Sequence, residues 1–133
     1  MKISEYSRAR FYKTFSTWDV PGDFADPIYN YLVFGYSPGS CFTAVLANDF
    51  ARAIGSSHPS NTVTAFKSLV GWINDHLPSN AGGSYEAVQF WQGLTAEARR
   101  SILERQGLIY TAPEETWLAV KGEPVEDTAL YGL

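Results

Sequence analysis

Cysteine, methionine and histidine are nearly absent from this chain: its 133 residues include one Cys, one Met and two His. A single thiol, Cys41, excludes an internal disulfide framework and a cysteine-rich zinc site. No apolar run approaches the ~20 residues that span a bilayer. The opening Met1-Lys2-Ile3-Ser4-Glu5 lacks the apolar stretch of a signal peptide, so a reducing intracellular setting is expected and no membrane is expected. Neither Gly-x-x-x-x-Gly-Lys nor Gly-x-Gly-x-x-Gly occurs, which removes two phosphate-cradling loops. His58 and His76 do not share a His-x-x-x-His spacing, so no metal and no cofactor is expected.

Aromatic side chains are abundant instead, with eight Phe, eight Tyr and four Trp, and 45% of the chain is hydrophobic. That composition over this length fits one domain, residues 1–133, with a sizeable core. The net charge of −4 is unevenly spread. Lys2, Arg8, Arg10 and Lys13 face one acid, Glu5, at the start. Arg99, Arg100 and Arg105 form a second basic segment, and the tail from Ile109 carries five acids against Lys121. Two small basic segments make a broad phosphate-tracking face improbable, so nucleic acid is not the expected partner.

Punctuation divides the chain into an aromatic, basic N-terminal arm (1–20), a helical core (21–108), a hairpin (109–121) and an acidic tail (122–133). In the arm, Ile3, Tyr6 and Arg10 keep helical spacing, consistent with a short helix or an ordered arm. Asp26-Pro27 has the chemistry of a helix entry, and Gly35 that of its stop. One helix is expected from Cys41 to about Ile54, with Phe42, Val45, Leu46, Phe50 and Ala53 as its stripe. Ser60 or Asn61 can cap the next, whose seam is Val63, Phe66, Val70, Ile73 and Leu77, and Pro78 ends it. A flexible loop over 79–83 precedes helices capped by Ser84 and Thr95, and Gly107-Leu108 suits a left-handed helix ending. Leu108–Thr111 and Thr116–Val120 flank Ala112-Pro113-Glu114-Glu115 as a hairpin. The expectation is a mainly α fold, a compact bundle of about five helices with a short C-terminal β-hairpin.

Few residues suggest chemistry. Cys41 follows Ser40 at a helix start, a position that can activate a thiol, but a buried small hydrophobe is the commoner role. His76 in the last turn of its helix complements the dipole there. The acid pairs Asp23/Asp26, Glu114/Glu115 and Glu126/Asp127 suit caps or solvated charge better than an acid/base dyad. Asn48-Asp49 stands out, because both types are poor in a helix interior. A structural hydrogen bond, for example to the Trp72 or Trp91 indole, or a ligand contact would account for the pair. Tyr6, Arg10, Phe11, Phe15 and Trp18 in the arm, Arg99 and Arg100, and Trp117 in the hairpin are the partner-contact candidates, since aromatics and Arg carry interface energy. Asn48, Asp49, Trp72, His76 and Trp91 are the structural or ligand-contact candidates.

The stretch Pro38-Gly39-Ser40-Cys41-Phe42-Thr43-Ala44-Val45-Leu46-Ala47-Asn48-Asp49-Phe50, followed by Trp72-Ile73, Asn74-Asp75-His76-Leu77-Pro78-Ser79, Gly83-Ser84, Val88 and Trp91, resembles a block in small uncharacterised accessory proteins of tailed phages and prophages. The resemblance spans roughly 19–92. It departs at Cys41, where Phe is usual, and at Gly82, where Trp is usual. It implies a phage-type origin and a shared structural frame, with no activity attached. The expectation is therefore a non-enzymatic, dimeric protein of the bacterial cytoplasm that binds a host or phage protein and inhibits a bacterial defence system. The alternatives are a DNA-binding regulator with a winged-helix-like C-terminal half and a small-ligand or nucleotide binder.

Overall fold

A computed structural model describes residues 3–109 and 124–125. Seven α-helices are formed among them: α1 (Glu5–Thr17), α2 (Gly22–Phe34), α3 (Ser40–Leu46), α4 (Phe50–Ser56), α5 (Val63–His76), α6 (Tyr85–Gly93) and α7 (Ala96–Arg105). A 3-10 turn, Ser79–Ala81, joins α5 to α6. Two short strands, β1 (Ile3–Ser4) and β2 (Pro124–Val125), pair antiparallel, with Ile3 opposite Val125. The mainly helical expectation holds, with more helices than the five read from the sequence. The expected hairpin over 109–121 is not formed by any described residue; its residues from 110 on, Trp117 included, and the tail apart from Pro124 and Val125 lie outside the described residues.

Helix α2 is the centre. Phe24, Ala25 and every residue from Pro27 to Val33 are buried, so it is apolar nearly all round, as a helix wrapped by others must be. It starts at Gly22, a turn earlier than the expected Asp26-Pro27 entry, and carries Pro27 inside. Gly35 ends it in a left-handed conformation (φ 73°). The carbonyls at a buried helix end need donors. Trp91 Nε1 donates to the Tyr31 and Leu32 carbonyls at 3.3 and 3.2 Å, and Arg99 Nε to the Val33 carbonyl at 3.3 Å.

The N-terminal segment is no free arm. Ser7, Phe11 and Phe15 fall one turn apart on one face of α1, and all three are buried. Phe15 stacks on Trp72 of α5 at 4.3 Å between ring centroids, and Phe11 meets Tyr29 of α2 edge-on at 5.0 Å. Trp72 Nε1 donates to Thr14 Oγ1 at 2.9 Å, and Tyr12 donates to Asp26 at 2.6 Å. Burial and this bond push the Tyr12 phenol well above its ordinary range. Trp18 lies over Gly71 of α5, where an added Cβ would sit 2.6 Å from the indole ring, and its N–H donates to Asp75 at 3.2 Å.

Where one helix was expected from Cys41 to Ile54 there are two. Asn48 takes a left-handed conformation (φ 63°); its N–H reaches the Val45 carbonyl at 3.1 Å and that of Asp49 the Ala44 carbonyl at 2.8 Å. This double bond pattern is a Schellman ending. It recurs at Asp19 after α1 and at Gly107 after α7, the latter as expected. Asn48 stops α3, and Asp49 at the next position opens α4. The penalty for Asn and Asp inside a helix is avoided because neither is inside one.

The remaining signals divide. Ser84 and Thr95 cap α6 and α7 by accepting from Ala87 and Ala98 N–H. Thr62, not Ser60 or Asn61, caps α5 by accepting from Ala65 N–H. The buried face of α5 is Phe66, Leu69 and Trp72, whereas Val63 is 72% exposed. In the 79–83 segment, expected to be flexible, Ser79–Ala81 form a 3-10 turn in which Ala81 is buried and its carbonyl accepts from Tyr31 at 2.7 Å.

Candidate functional site

The Asn48–Asp49 turn borders the most informative surface. Behind it lies a groove of about 250 Å³ lined by Val45 and Leu46 of α3, Asn48, Phe50 of α4, Val70, Ile73 and Asn74 of α5, and Gly83. Gly83 N–H donates to the Leu46 carbonyl at 2.7 Å, satisfying one of the groups left open at the end of α3. Gly82 is pressed against the same carbonyl: an added Cβ would sit 2.8 Å from it and 2.7 Å from the Leu77 side chain. Position 82 therefore has no room here for a side chain unless the Leu46 backbone shifts.

The floor of this groove is apolar, and its rim carries two carboxamides, Asn48 and Asn74, both exposed. A carboxamide offers one acceptor and two donors, the complement of a peptide group. Asp49 beside them is engaged: it accepts from Tyr85 Oη at 2.7 Å and pairs with Arg52 at 3.5 Å. That hydrogen bond, made to the neutral phenol, raises the Tyr85 pKa. Asp49 thus ties α4 to the start of α6, and neither Trp72 nor Trp91 is its partner; their indoles serve Thr14 and the end of α2.

Apolar side chains stand in solvent on α4, α5 and α6. Phe50 and Ile54 lie one turn apart on α4, Val63 begins α5, and Tyr85 and Phe90 are on α6. Phe50, expected in the core, is 45% exposed because the break at Asn48 turns α4 away from the line of α3. The sequence signal was present in the dipeptide itself: Asn tolerates the left-handed stop and Asp the following start.

The other candidates are distributed differently. Phe11 and Phe15 are core residues, so they cannot meet a partner in this fold. Arg99 is 6% exposed; besides Val33 it donates to the Leu94 carbonyl, and it fills the space over Gly35. Arg100 is buried as well. Neither arginine lies on a face that could track phosphates, because both sit on the side of α7 turned to the core. Trp18 is 39% exposed and Arg10 is exposed on α1. Tyr6 belongs to α1. His76 ends α5 and pairs with Asp75 at 3.2 Å.

Cys41 does not have the setting of a nucleophile. Its Sγ donates to the Ala53 carbonyl at 3.3 Å, and burial pushes the thiol pKa up, opposite to activation. His58 is bonded to Ser60 and His76 pairs with Asp75. Among the described residues no group of three or more His, Cys, Asp or Glu could hold a metal ion, and no helix is long and apolar enough to cross a membrane. Comparison with protein-family models, curated proteins and solved structures returns no match to this chain.

Proposed function

We propose that this chain is a non-enzymatic, phage-type accessory protein that acts by binding a host or phage protein, and that its biological effect is inhibition of a bacterial defence system. One observation carries the reading: Phe50, which lines a groove with a carboxamide rim, stands exposed, as do Ile54, Val63, Tyr85 and Phe90 on α4, α5 and α6. Large apolar side chains left in water on neighbouring elements mark contact surfaces. Phe and Tyr are among the types enriched at interface centres. In this reading an apolar side chain of the partner enters the groove, and Asn48 and Asn74 bond its main chain. The resemblance over 19–92 supports the phage origin. The same apolar surface favours self-association, and a dimer is part of the proposal.

The test is affinity purification of the tagged full chain from an infected or lysogenic bacterial host, run beside a Phe50→Ser/Phe90→Ser variant. The expected result is one stoichiometric partner retained by the parent and lost by the variant, with the variant's melting curve unchanged. Absence of any stoichiometric partner together with no effect on phage growth contradicts the reading, and so does equal capture by the variant. Light scattering at high protein concentration tests the dimer; a strict monomer refutes that part.

A further inference from the structure

The groove beside Asn48 is lined by uncharged residues only. Among the described residues the side chains of Asn48 and Asn74 have no hydrogen-bond partner, so both carboxamides at its rim are available. The α5 wall does not stop at the groove. Val63, Lys67, Val70 and Asn74 follow one another at steps of four, three and four, which keeps them on one side of the helix. Val70 and Asn74 line the groove, and Lys67 and Val63 carry the stripe outward from it into solvent. Among the described residues Lys67 has no ion-pair partner. Lys67 and Asn74 are seven positions apart, about 10 Å along a helix, which is the reach of about three residues of extended chain.

The carboxylates on the neighbouring elements are engaged elsewhere. Asp49 pairs with Arg52 and accepts from Tyr85, and Asp75 accepts from the Trp18 indole and faces His76. Glu86 sits in the first turn of α6, where that helix's own positive end favours it. The Leu46 carbonyl at the negative end of α3 is covered by Gly83 N–H, and Lys67 stands in the N-terminal half of α5, away from the negative end of that helix. The surface thus presents one uncompensated cation next to a neutral, apolar groove. Carboxamides can bond a peptide group whose N–H and C=O are free, as in an extended segment and not inside a helix. We propose that the groove takes an extended, acidic segment of the partner: an apolar side chain in the groove, the adjoining peptide groups on Asn48 and Asn74, and an Asp or Glu two or three residues away on Lys67. This rests on the groove being where the partner binds, and adds the chemistry by which the partner is chosen.

Titration of the full chain with the capped peptide acetyl-Gly-Leu-Ser-Glu-Gly-amide tests the proposal, read from the side-chain NH2 resonances of Asn48 and Asn74. A saturable shift of both is expected. Replacing the peptide's Leu by Gly is expected to weaken binding at least tenfold, the scale of one buried aliphatic side chain. Replacing its Glu by Gln is expected to weaken binding about two- to fivefold, the scale of one exposed charge pair, and Lys in its place to weaken it further. In the Lys67→Gln chain the Glu and Gln peptides are expected to bind equally, and Lys67→Arg is expected to restore the preference. Equal binding of the two peptides by the parent, or a preference that survives Lys67→Gln, overturns the acidic specification. No saturable shift with any of the peptides overturns the proposal as a whole. If a partner is still captured by the parent chain and lost by Phe50→Ser/Phe90→Ser, that failure leaves the wider reading of the surface standing.

Discussion

Two aromatic regions of this molecule have similar composition and opposite fates. Between α1, α2 and α5, Phe11, Phe15, Tyr29 and Trp72 are buried in mutual contact. At the Asn48–Asp49 turn and on the helix α6 that Tyr85 opens, Phe50, Tyr85 and Phe90 are exposed. The difference is not in the side chains but in what backs each one. Helix α1 lies against two others with its Phe11/Phe15 face inward, whereas α4 is set off by the left-handed stop at Asn48. Aromatic content therefore locates neither core nor interface; the turn chemistry between helices does.

The largest effect that separates the regions is expected at Trp72. Trp72→Ala removes the ring stacked on Phe15 and the donor to Thr14, and a loss of about 3–5 kcal/mol in chemical denaturation is expected for a large core truncation. A loss below about 1 kcal/mol would mean that the α1/α5 layer is not a packed core.

Next comes the support beneath that core. Arg99→Met keeps the bulk and removes the donor to the Val33 carbonyl, and a loss of about 2–3 kcal/mol is expected for a buried group left unsatisfied. Normal stability in this variant would show that water replaces the guanidinium. At the other region, Asn48→Val puts a β-branched residue at positive φ and is expected to cost about 1–2 kcal/mol. Asn48→Gly is expected to stay within about 0.5 kcal/mol of the parent, since glycine adopts this conformation freely. Equal losses for the two substitutions would remove the left-handed stop from the account.

A smaller, pH-dependent difference follows from the tyrosines. Tyr31 is buried and Tyr12 half-buried, and desolvation, joined at Tyr12 by its bond to Asp26, holds both phenols protonated well above the ordinary value in the folded chain. Above a pH of about 10 the unfolded chain loses these protons and the folded chain keeps them. The folded state then binds more protons, so stability falls as pH rises through that range. Tyr12→Phe and Tyr31→Phe are each expected to flatten this alkaline fall in melting temperature, and an unaltered slope would contradict their burial. Tyr85, which is exposed and raised chiefly by its bond to Asp49, is expected to titrate lower in Asp49→Asn by ultraviolet absorbance.

The parts of the fold legible in the sequence are those fixed by local chemistry. Ser84, Thr95, Gly35 and Gly107 all act at the helix ends they mark, because a cap or a left-handed stop is decided within a few residues. Asn48-Asp49 was legible as a conflict with a helix interior, and the structure resolves that conflict by ending one helix and starting another. The burial of Phe11, Phe15, Arg99 and Arg100 was not legible. Amphipathic spacing shows that a helix has an apolar face but not what covers it. The carbonyls that receive Arg99 belong to Val33 and Leu94, and Val33 is 66 positions away. The groove beside Asn48 depends likewise on α5 and Gly83 arriving from elsewhere in the chain.

The contrast between the two regions is tested most directly by one paired measurement: chemical denaturation of Phe15→Ala and Phe50→Ala beside the parent chain. Phe15 is 1% exposed and Phe50 45%. The expected result is a loss of about 3–5 kcal/mol for Phe15→Ala and of no more than about 0.5 kcal/mol for Phe50→Ala. Equal losses, or a larger loss for Phe50→Ala, would contradict the assignment of one region to the core and the other to the surface.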